Sequence, residues 1–149
     1  MTLLLLDTSN LYYASKIAKR GSVNYAALIA SVEDISEIIA YVNTFSASSI
    51  RFINMLEGLG VEVRTKTSLK RENGIYVTNW SVELAIDILG STVPVTLVSN
   101  DIDLLPAIQL AAVPVHLYAC GVPEKLKPHV ETYKELSKEF FYEPRVAAK

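Results

Sequence analysis

Short apolar runs alternate along this chain with amphipathic stretches of helical spacing. Residues 3–6 form a continuous apolar run, which is typical of a strand buried on both faces, and residues 7–10 that follow favour turns and helix caps. The β-branched run 93–98 repeats this arrangement and ends in the polar residues 99–101. Each run therefore predicts a buried strand that leads directly into a helix.

The rest of the pattern continues this alternation. It predicts further strands at 37–43, 61–64 and 113–119, and helices at 10–20, 24–31, 46–59, 81–89, 102–112 and 133–141. Strands that alternate with helices form a mainly parallel sheet with right-handed crossovers. We therefore expect an α/β fold, a three-layer sandwich in which helices flank a central, mainly parallel sheet, built as one domain over residues 1–149.

Composition and charge narrow the functional classes. A formal net charge of −2 excludes a globally basic nucleic-acid binder but allows a local basic face. The single cysteine, Cys120, excludes an intramolecular disulfide and a cysteine-rich zinc site, and it favours a reducing cytoplasm. The apolar start reaches Asp7 after four leucines, too short a run for a signal peptide or a membrane span, so we expect a soluble cytoplasmic protein without a membrane partner.

Three acids lie after the two predicted buried strands. Asp7 follows the first strand, and Asp101 and Asp103 follow the strand at 93–98. Sites in open α/β sheets form at the carboxyl ends of strands, so these carboxylates are expected to converge there and to bind Mg²⁺ or Mn²⁺ through hard oxygen ligands. The structural alternative is that Asp7 and Asp101 only cap helices, with Asp103 stabilised by the helix dipole.

A family resemblance rests on four segments in order along the chain. The segment Leu6–Tyr12 resembles the opening motif of NYN domains, the branch of PIN-like nucleases that includes LabA-type proteins, and Leu97–Leu104 resembles their second acidic signature. The segment Gly58–Lys66 is similar to the family's central strand, and Ala85–Asp87 to part of the next helix. The resemblance implies a PIN-like, Rossmann-like fold and a metal-dependent ribonuclease that acts on single-stranded or structured RNA.

The resemblance also implies roles for individual residues. Asp7, Asp101 and Asp103 would bind metal directly or through water, and Asn10 would steady the first carboxylate. A homodimer is expected because PIN-like domains often pair. Thr8 replaces the usual glycine, which is a mild departure.

A more serious departure falls on Ser81. Here the family has an acid that completes the metal site, and an uncharged hydroxyl is a weaker ligand. A shifted register would place Glu83 on the missing acid, whereas the alternative is that Glu83 only complements the helix N-terminus. Asp87 lies six residues past Ser81, in a different helical direction, so a buried supporting contact is expected for it.

The substrate face is predicted from basic and aromatic residues. We assign substrate binding to Lys66, Lys70, Arg71 and Ser81, with Arg51, Arg64 and Lys16 as neighbours, because cations neutralise phosphates. Four aromatic side chains are candidates for stacking on unpaired bases, namely Tyr12, Tyr13, Tyr76 and Trp80. The alternatives are a solvated basic loop at 64–71 and ordinary helix packing for Tyr12 and Tyr13.

The sequence is compatible with two functions from different classes. The first is an endoribonuclease that uses metal-activated water, and the second is a catalytically weakened domain that binds RNA or protein, which the serine at position 81 favours. A haloacid-dehalogenase phosphatase is discounted because Ser9 stands where that class needs a second acid after the first strand.

Overall fold

The secondary structure alternates strands and short helices. A computed structural model describes residues 1–44, 48–67, 69–70, 76–77 and 79–143, with backbone only at 48, 69, 70, 76 and 77. The strands are β1 Thr2–Asp7, β2 Ile35–Thr44, β3 Glu62–Thr67, β4 Leu69–Lys70, β5 Tyr76–Val77, β6 Val95–Val98, β7 Val115–Ala119 and β8 Thr132–Glu135. The helices are α1 Thr8–Ile17, α2 Tyr25–Ala30, α3 Ser48–Gly58, α4 Ser81–Gly90 and α5 Leu105–Leu110, with 3₁₀ turns at Ile102–Leu104, Lys127–His129 and Lys138–Phe140.

Within the described residues, six strands form one sheet in the order β3-β2-β1-β6-β7-β8. Every neighbouring pair in it runs parallel. The chain moves outward from β1 through β2 to β3 and then returns to the other side of β1 at β6. The strand order therefore reverses between β1 and β6, and ligands of open α/β sheets bind at such a point.

Alternation along β1 divides the core into two layers. Leu4 and Leu6 pack with the helices of one face, and Leu3 and Leu5 pack with α4 and α5 on the other. Burying a leucine side chain contributes about 2 kcal/mol, so this strand stabilises both layers at once. The predicted α/β sandwich with a parallel sheet and flanking helices is confirmed.

The helices are short. Among the residues that the structure describes, the longest helix is α3, with 11 residues. In the part of the chain that the structure describes, none is long and apolar enough to cross a bilayer.

The prediction of a helix at 133–141 is wrong. Residues 132–135 form β8, which pairs with β7, and residues 138–140 form a 3₁₀ turn. All four residues of β8 are exposed. The sequence there does not show the alternation of apolar and polar residues that predicts a half-buried strand. Pairing with β7, the preceding strand, overrides the local helical spacing. The predicted helix at 102–112 is also divided, into a 3₁₀ turn and α5.

Candidate active site at the strand switch point

Asp7 lies buried at the carboxyl end of β1, with 5% of its surface exposed. It occupies the N-cap position of α1, but its side chain makes no capping hydrogen bond. Its Oδ2 instead accepts a hydrogen bond from the Ser99 hydroxyl at 2.8 Å, across from β1 to the end of β6. The carboxylate is thus hydrogen-bonded across the sheet to the residue that follows β6.

The electrostatics of Asp7 reflect both burial and a second acid. The pKa of the Asp7 carboxyl is raised from its ordinary value of 3.8 to about 6, chiefly by removal from water and also by the negative charge of Asp101, while the Ser99 hydrogen bond and the nearby Asn10 backbone N–H oppose the rise. The two carboxylates at the switch point therefore repel each other. A shared cation would relieve that repulsion.

Asp101 caps the 3₁₀ turn that follows it, and capping was the structural alternative to metal binding for this residue. Its Oδ1 accepts a hydrogen bond from the backbone N–H of Asp103 at 2.9 Å, while its Oδ2 accepts one from the Ser81 hydroxyl. Asp103 itself is exposed in the first turn of the 3₁₀ segment. Asp101 thus combines a capping role with a position beside Asp7, whereas Asp103 extends toward solvent.

Asn10 binds the loop of the second acid through its side chain. Its Oδ1 accepts the Asn100 backbone N–H at 2.9 Å, and its Nδ2 donates to Asn100 Oδ1 at 2.7 Å. Asn100 also donates to the backbone carbonyl of Cys120 at 3.2 Å. This reciprocal amide pair fixes the loop after β6 against α1. The side chain of Asn10 thus supports the segment that carries Asp101.

Three residues of this site have roles that the spacing of acids does not indicate. The buried Thr8 donates from its hydroxyl to the Tyr41 carbonyl at 2.6 Å, which anchors the start of α1 to β2. Ser99 donates to Asp7 and accepts the backbone N–H of Asp101, and Asn100 pairs with Asn10. The available signal is the run of small polar residues at the end of β6, since such side chains bond readily to nearby backbone.

The N-terminus of α4 holds Ser81 and Glu83 in different environments. Ser81 contacts Asp101, and its backbone N–H donates to Asn79 Oδ1 at 2.6 Å. Glu83 forms an ion pair with Lys66. Burial acts to raise the pKa of Glu83, but hydrogen bonding and charge from Lys66 outweigh it, so the pKa is lowered. Glu83 therefore lies in a salt bridge with β3, and Ser81 contacts the acid at the switch point.

The predicted substrate cations on β3 are already engaged. Besides Glu83, Lys66 donates to the Asn79 carbonyl at 3.1 Å and lies 4.5 Å from the centre of the Trp80 ring. Arg64, named as a neighbour of the substrate face, pairs with Asp87 at 2.6 Å. The backbone of Lys70 lies in β4 while its side chain falls outside the described residues, as does all of Arg71.

Asp87, for which a buried supporting contact was expected, is half-buried and contacts β2 and β3. It accepts hydrogen bonds from the Tyr41 hydroxyl and from Arg64. Burial and the Asp87 carboxylate both raise the pKa of Tyr41, so this hydroxyl stays protonated as a donor. The contact ties α4 to β2 and β3.

The metal-binding capacity of the site rests on two carboxylates. Across residues 1–44, 48–67 and 79–143, no three histidine, cysteine, aspartate or glutamate side chains converge to hold a metal ion. Mg²⁺ in proteins commonly uses one or two carboxylates and keeps several waters. Asp7 and Asp101, two adjacent hard-oxygen donors that repel each other, fit such a water-rich site.

Comparison with known proteins identifies the family. A family model for the NYN domain matches residues 1–138. Searches of curated proteins and of solved structures found no match. NYN domains are PIN-like nucleases that act on RNA and generally use divalent metals, which supports a nuclease role. Because the match covers most of the sequence and agrees with the fold, this chain belongs to the NYN domain family.

Proposed function

We propose that this NYN domain is an endoribonuclease that hydrolyses phosphodiester bonds of single-stranded or structured RNA with the help of Mg²⁺ or Mn²⁺. The domain spans residues 1–149 and belongs to the LabA-like branch of the family. Asp7 and Asp101 bind the ion, and Asp103 contributes through water.

One observation carries this proposal. Asp7 is a buried carboxylate that bonds across the sheet to Ser99 and senses the charge of Asp101, at the point where strand order reverses. Two unneutralised acids at this point are costly for stability. Such an arrangement is typical of functional sites, where pKa values are displaced by burial and by neighbouring charge.

The residues around the acids position them. Ser99 and Ser81 each donate a hydroxyl hydrogen bond to one of the two carboxylates, which leaves the remaining lone pairs free for an ion. Asn10 holds the Asp101 loop through Asn100. When bound, a divalent ion supplies a more acidic water and stabilises charge on the phosphate.

The alternative is a catalytically weakened domain that binds RNA or protein. The observation in its favour is Ser81, which contributes a neutral hydroxyl where the family resemblance places an acid. The site then has two carboxylates where an active member would have more, and metal binding is correspondingly weaker.

The two functions are separated by one assay. Purified protein is incubated with end-labelled RNA and Mn²⁺ and compared with Asp7→Asn and Asp101→Asn. Asp34→Asn is the matched control, because Asp34 is exposed and its φ of 54° is a conformation that asparagine tolerates. We expect cleavage that falls at least 100-fold in both site variants and is unchanged in the control.

Other outcomes have clear meanings. Cleavage of equal rate in the wild-type protein and Asp101→Asn would identify a contaminating nuclease and refute the catalytic proposal. Binding of RNA without cleavage, at any Mn²⁺ concentration, would favour the binding-domain alternative.

A further inference from the structure

We propose that the exposed face of α1 and its C-terminal turn is a binding track for unpaired RNA. Tyr12 and Tyr13 stack on bases, and Lys16, Lys19 and Arg20 contact phosphates. This proposal rests on the proposed function, because it names the form of RNA that reaches the same site.

The aromatic part of the track is a pair of tyrosines left in water. Tyr12 is 50% exposed and Tyr13 is 63% exposed, and their rings meet edge to face with centres 5.3 Å apart. The helix packs on the core through Leu11 and Ala14 instead. Ordinary helix packing therefore does not account for either ring. Exposed rings of this kind are the stacking surfaces used by proteins that bind single strands.

The charge of this segment complements a phosphate backbone. Residues 8–20 contain two lysines and one arginine and no acid, although the whole chain has a net charge of −2. Lys16, Lys19 and Arg20 are all exposed. Lys16 Nζ lies 4.4 Å from the centre of the Tyr12 ring, so a cation and an aromatic face are presented side by side. Unpaired RNA binds through both kinds of contact, since its phosphates pair with cations and its bases stack on aromatic rings.

The basic residues of β3 are less suited to this role. Lys66 is held by Glu83 and Arg64 by Asp87, so each phosphate contact there would first have to break an ion pair. Lys16 lies beside the Tyr12 ring and Arg20 lies over the Phe141 ring, and among the described residues neither forms an ion pair. The charge distribution therefore favours α1 over β3 as the face that meets the substrate.

The track is continuous with the candidate active site. Helix α1 begins directly after Asp7, and Asn10 contacts the loop that carries Asp101. With a rise of 1.5 Å per residue, Tyr12 and Tyr13 lie roughly 8 to 9 Å along the helix axis from Asp7. An RNA strand whose bases stack on the two tyrosines would run toward Asp7 and Asp101.

The test measures RNA binding apart from cleavage. A fluorescein-labelled 12-nucleotide oligouridine, and the same strand paired with oligoadenosine, are titrated with protein in EDTA and followed by anisotropy. We expect Tyr12→Ala/Tyr13→Ala to raise the Kd for the single strand at least tenfold, with a much smaller change for the duplex. Lys16→Ala should lower the slope of log K against log salt by about 0.7.

Tyr133→Ala is the matched control. Tyr133 is 53% exposed, and Lys127 Nζ lies 5.2 Å from its ring centre, so it reproduces the local contact of Tyr12 on β8, an edge strand of the sheet. Its neighbours along the chain include Glu131 and Glu135, which disfavour RNA. We expect the Kd of this variant to stay within twofold of wild type.

Each of the other possible results either supports or overturns the binding track. A wild-type protein that does not bind the single strand, a double variant within twofold of wild type, or an equal loss on single strand and duplex would overturn the track. Loss of binding in the double variant, together with no Mn²⁺-dependent cleavage by wild type, would support the track and refute only the ribonuclease proposal.

Discussion

The hydroxyl of Ser81, at the start of α4, donates a hydrogen bond to Oδ2 of Asp101 in the loop after β6. Position 81 therefore lies within reach of the acid that follows β6, as the resemblance to NYN motifs implies. The side chain there is neutral, and this contact joins the two elements without adding charge. A third acid at this position would complete a cluster of carboxylates around the switch point.

We predict that Ser81→Asp makes the domain less stable without metal and more responsive to metal. In EDTA the new carboxylate repels Asp101, and we expect the free energy of unfolding to fall by about 1–2 kcal/mol. With a third charged oxygen ligand, Mn²⁺ should bind at least tenfold more tightly, and such a gain adds about 1.4 kcal/mol of stability at saturating ion. Thermal unfolding with and without Mn²⁺ measures both effects.

Ser81→Asn controls for size and polarity at this position without a charge. It should show no greater response to Mn²⁺ than the wild-type protein. If Ser81→Asp responds to Mn²⁺ no more than Ser81→Asn, position 81 does not adjoin the ion.

Much of the fold is predictable because its central strands are buried on both faces. β1 and β6 appear in the sequence as continuous apolar runs followed by turn residues, and their topology places Asp7 and Asp101 on neighbouring strands. β8 is not predictable in this way, since its residues are all exposed and only its hydrogen bonds to the edge of β7 make it a strand.

The details of the site depend on contacts that residue spacing does not encode. The motif places Ser99 beside the acids, but only the packed structure determines that its hydroxyl bonds to Asp7 rather than to its own backbone. Similarly, the basic segment that begins at Arg64 suggests a substrate face. The ion pairs of Arg64 and Lys66 with acids on α4 arise from tertiary packing.

We predict that Asp7→Asn stabilises the metal-free domain at neutral pH. The pKa of Asp7 is about 6 in the folded state, above its ordinary value of 3.8, so the folded state binds the proton more tightly than the unfolded state does. The contribution of Asp7 to the free energy of unfolding is therefore fully present below pH 3.8 and is lost as pH rises through 6. A shift of this size corresponds to about 3 kcal/mol, part of which is offset because the Ser99 hydrogen bond to a charged group is lost.

Urea unfolding in EDTA measures this effect at two pH values. We expect Asp7→Asn to exceed wild type by about 1–3 kcal/mol at pH 7.5 and to differ little at pH 4, where Asp7 in the folded state is already protonated. Asp34→Asn should change neither value by more than about 0.5 kcal/mol, because Asp34 is exposed. A destabilised Asp7→Asn at pH 7.5 would contradict the electrostatic account of this site.

We predict that Gly21→Ala destabilises the junction between α1 and the C-terminal segment. A Cβ atom at Gly21 would lie 1.9 Å from the backbone carbonyl oxygen of Tyr142, so the segment that pairs there must move. That segment is held by the bridge between Val23 and Phe141 and by the hydrogen bond from Tyr142 N–H to the Ser22 carbonyl at 2.8 Å. We expect a loss of about 1–3 kcal/mol in chemical denaturation.

Gly90→Ala is the matched control for this substitution. A Cβ at Gly90, the last residue of α4, meets no atom within 4 Å. Alanine is also the better helix former by about 1 kcal/mol, so this variant should be neutral or slightly stabilised. Equal stability of the two variants would show that the C-terminal segment does not lie in close contact with Gly21.

We predict that Asp87 stabilises the fold through Tyr41 more than through Arg64. Its carboxylate accepts from the hydroxyl of the fully buried Tyr41 and from the guanidinium of Arg64, whose side chain is 40% exposed. Asp87→Ala should cost about 2–3 kcal/mol, because a buried hydroxyl loses its acceptor, whereas Arg64→Ala should cost about 1 kcal/mol or less, since its charge reaches solvent. In a double-mutant cycle with Tyr41→Phe, the coupling should be about 1 kcal/mol or more, and urea unfolding of the four proteins measures it. Additive effects of Asp87→Ala and Tyr41→Phe would refute this contact as the link between α4 and the sheet.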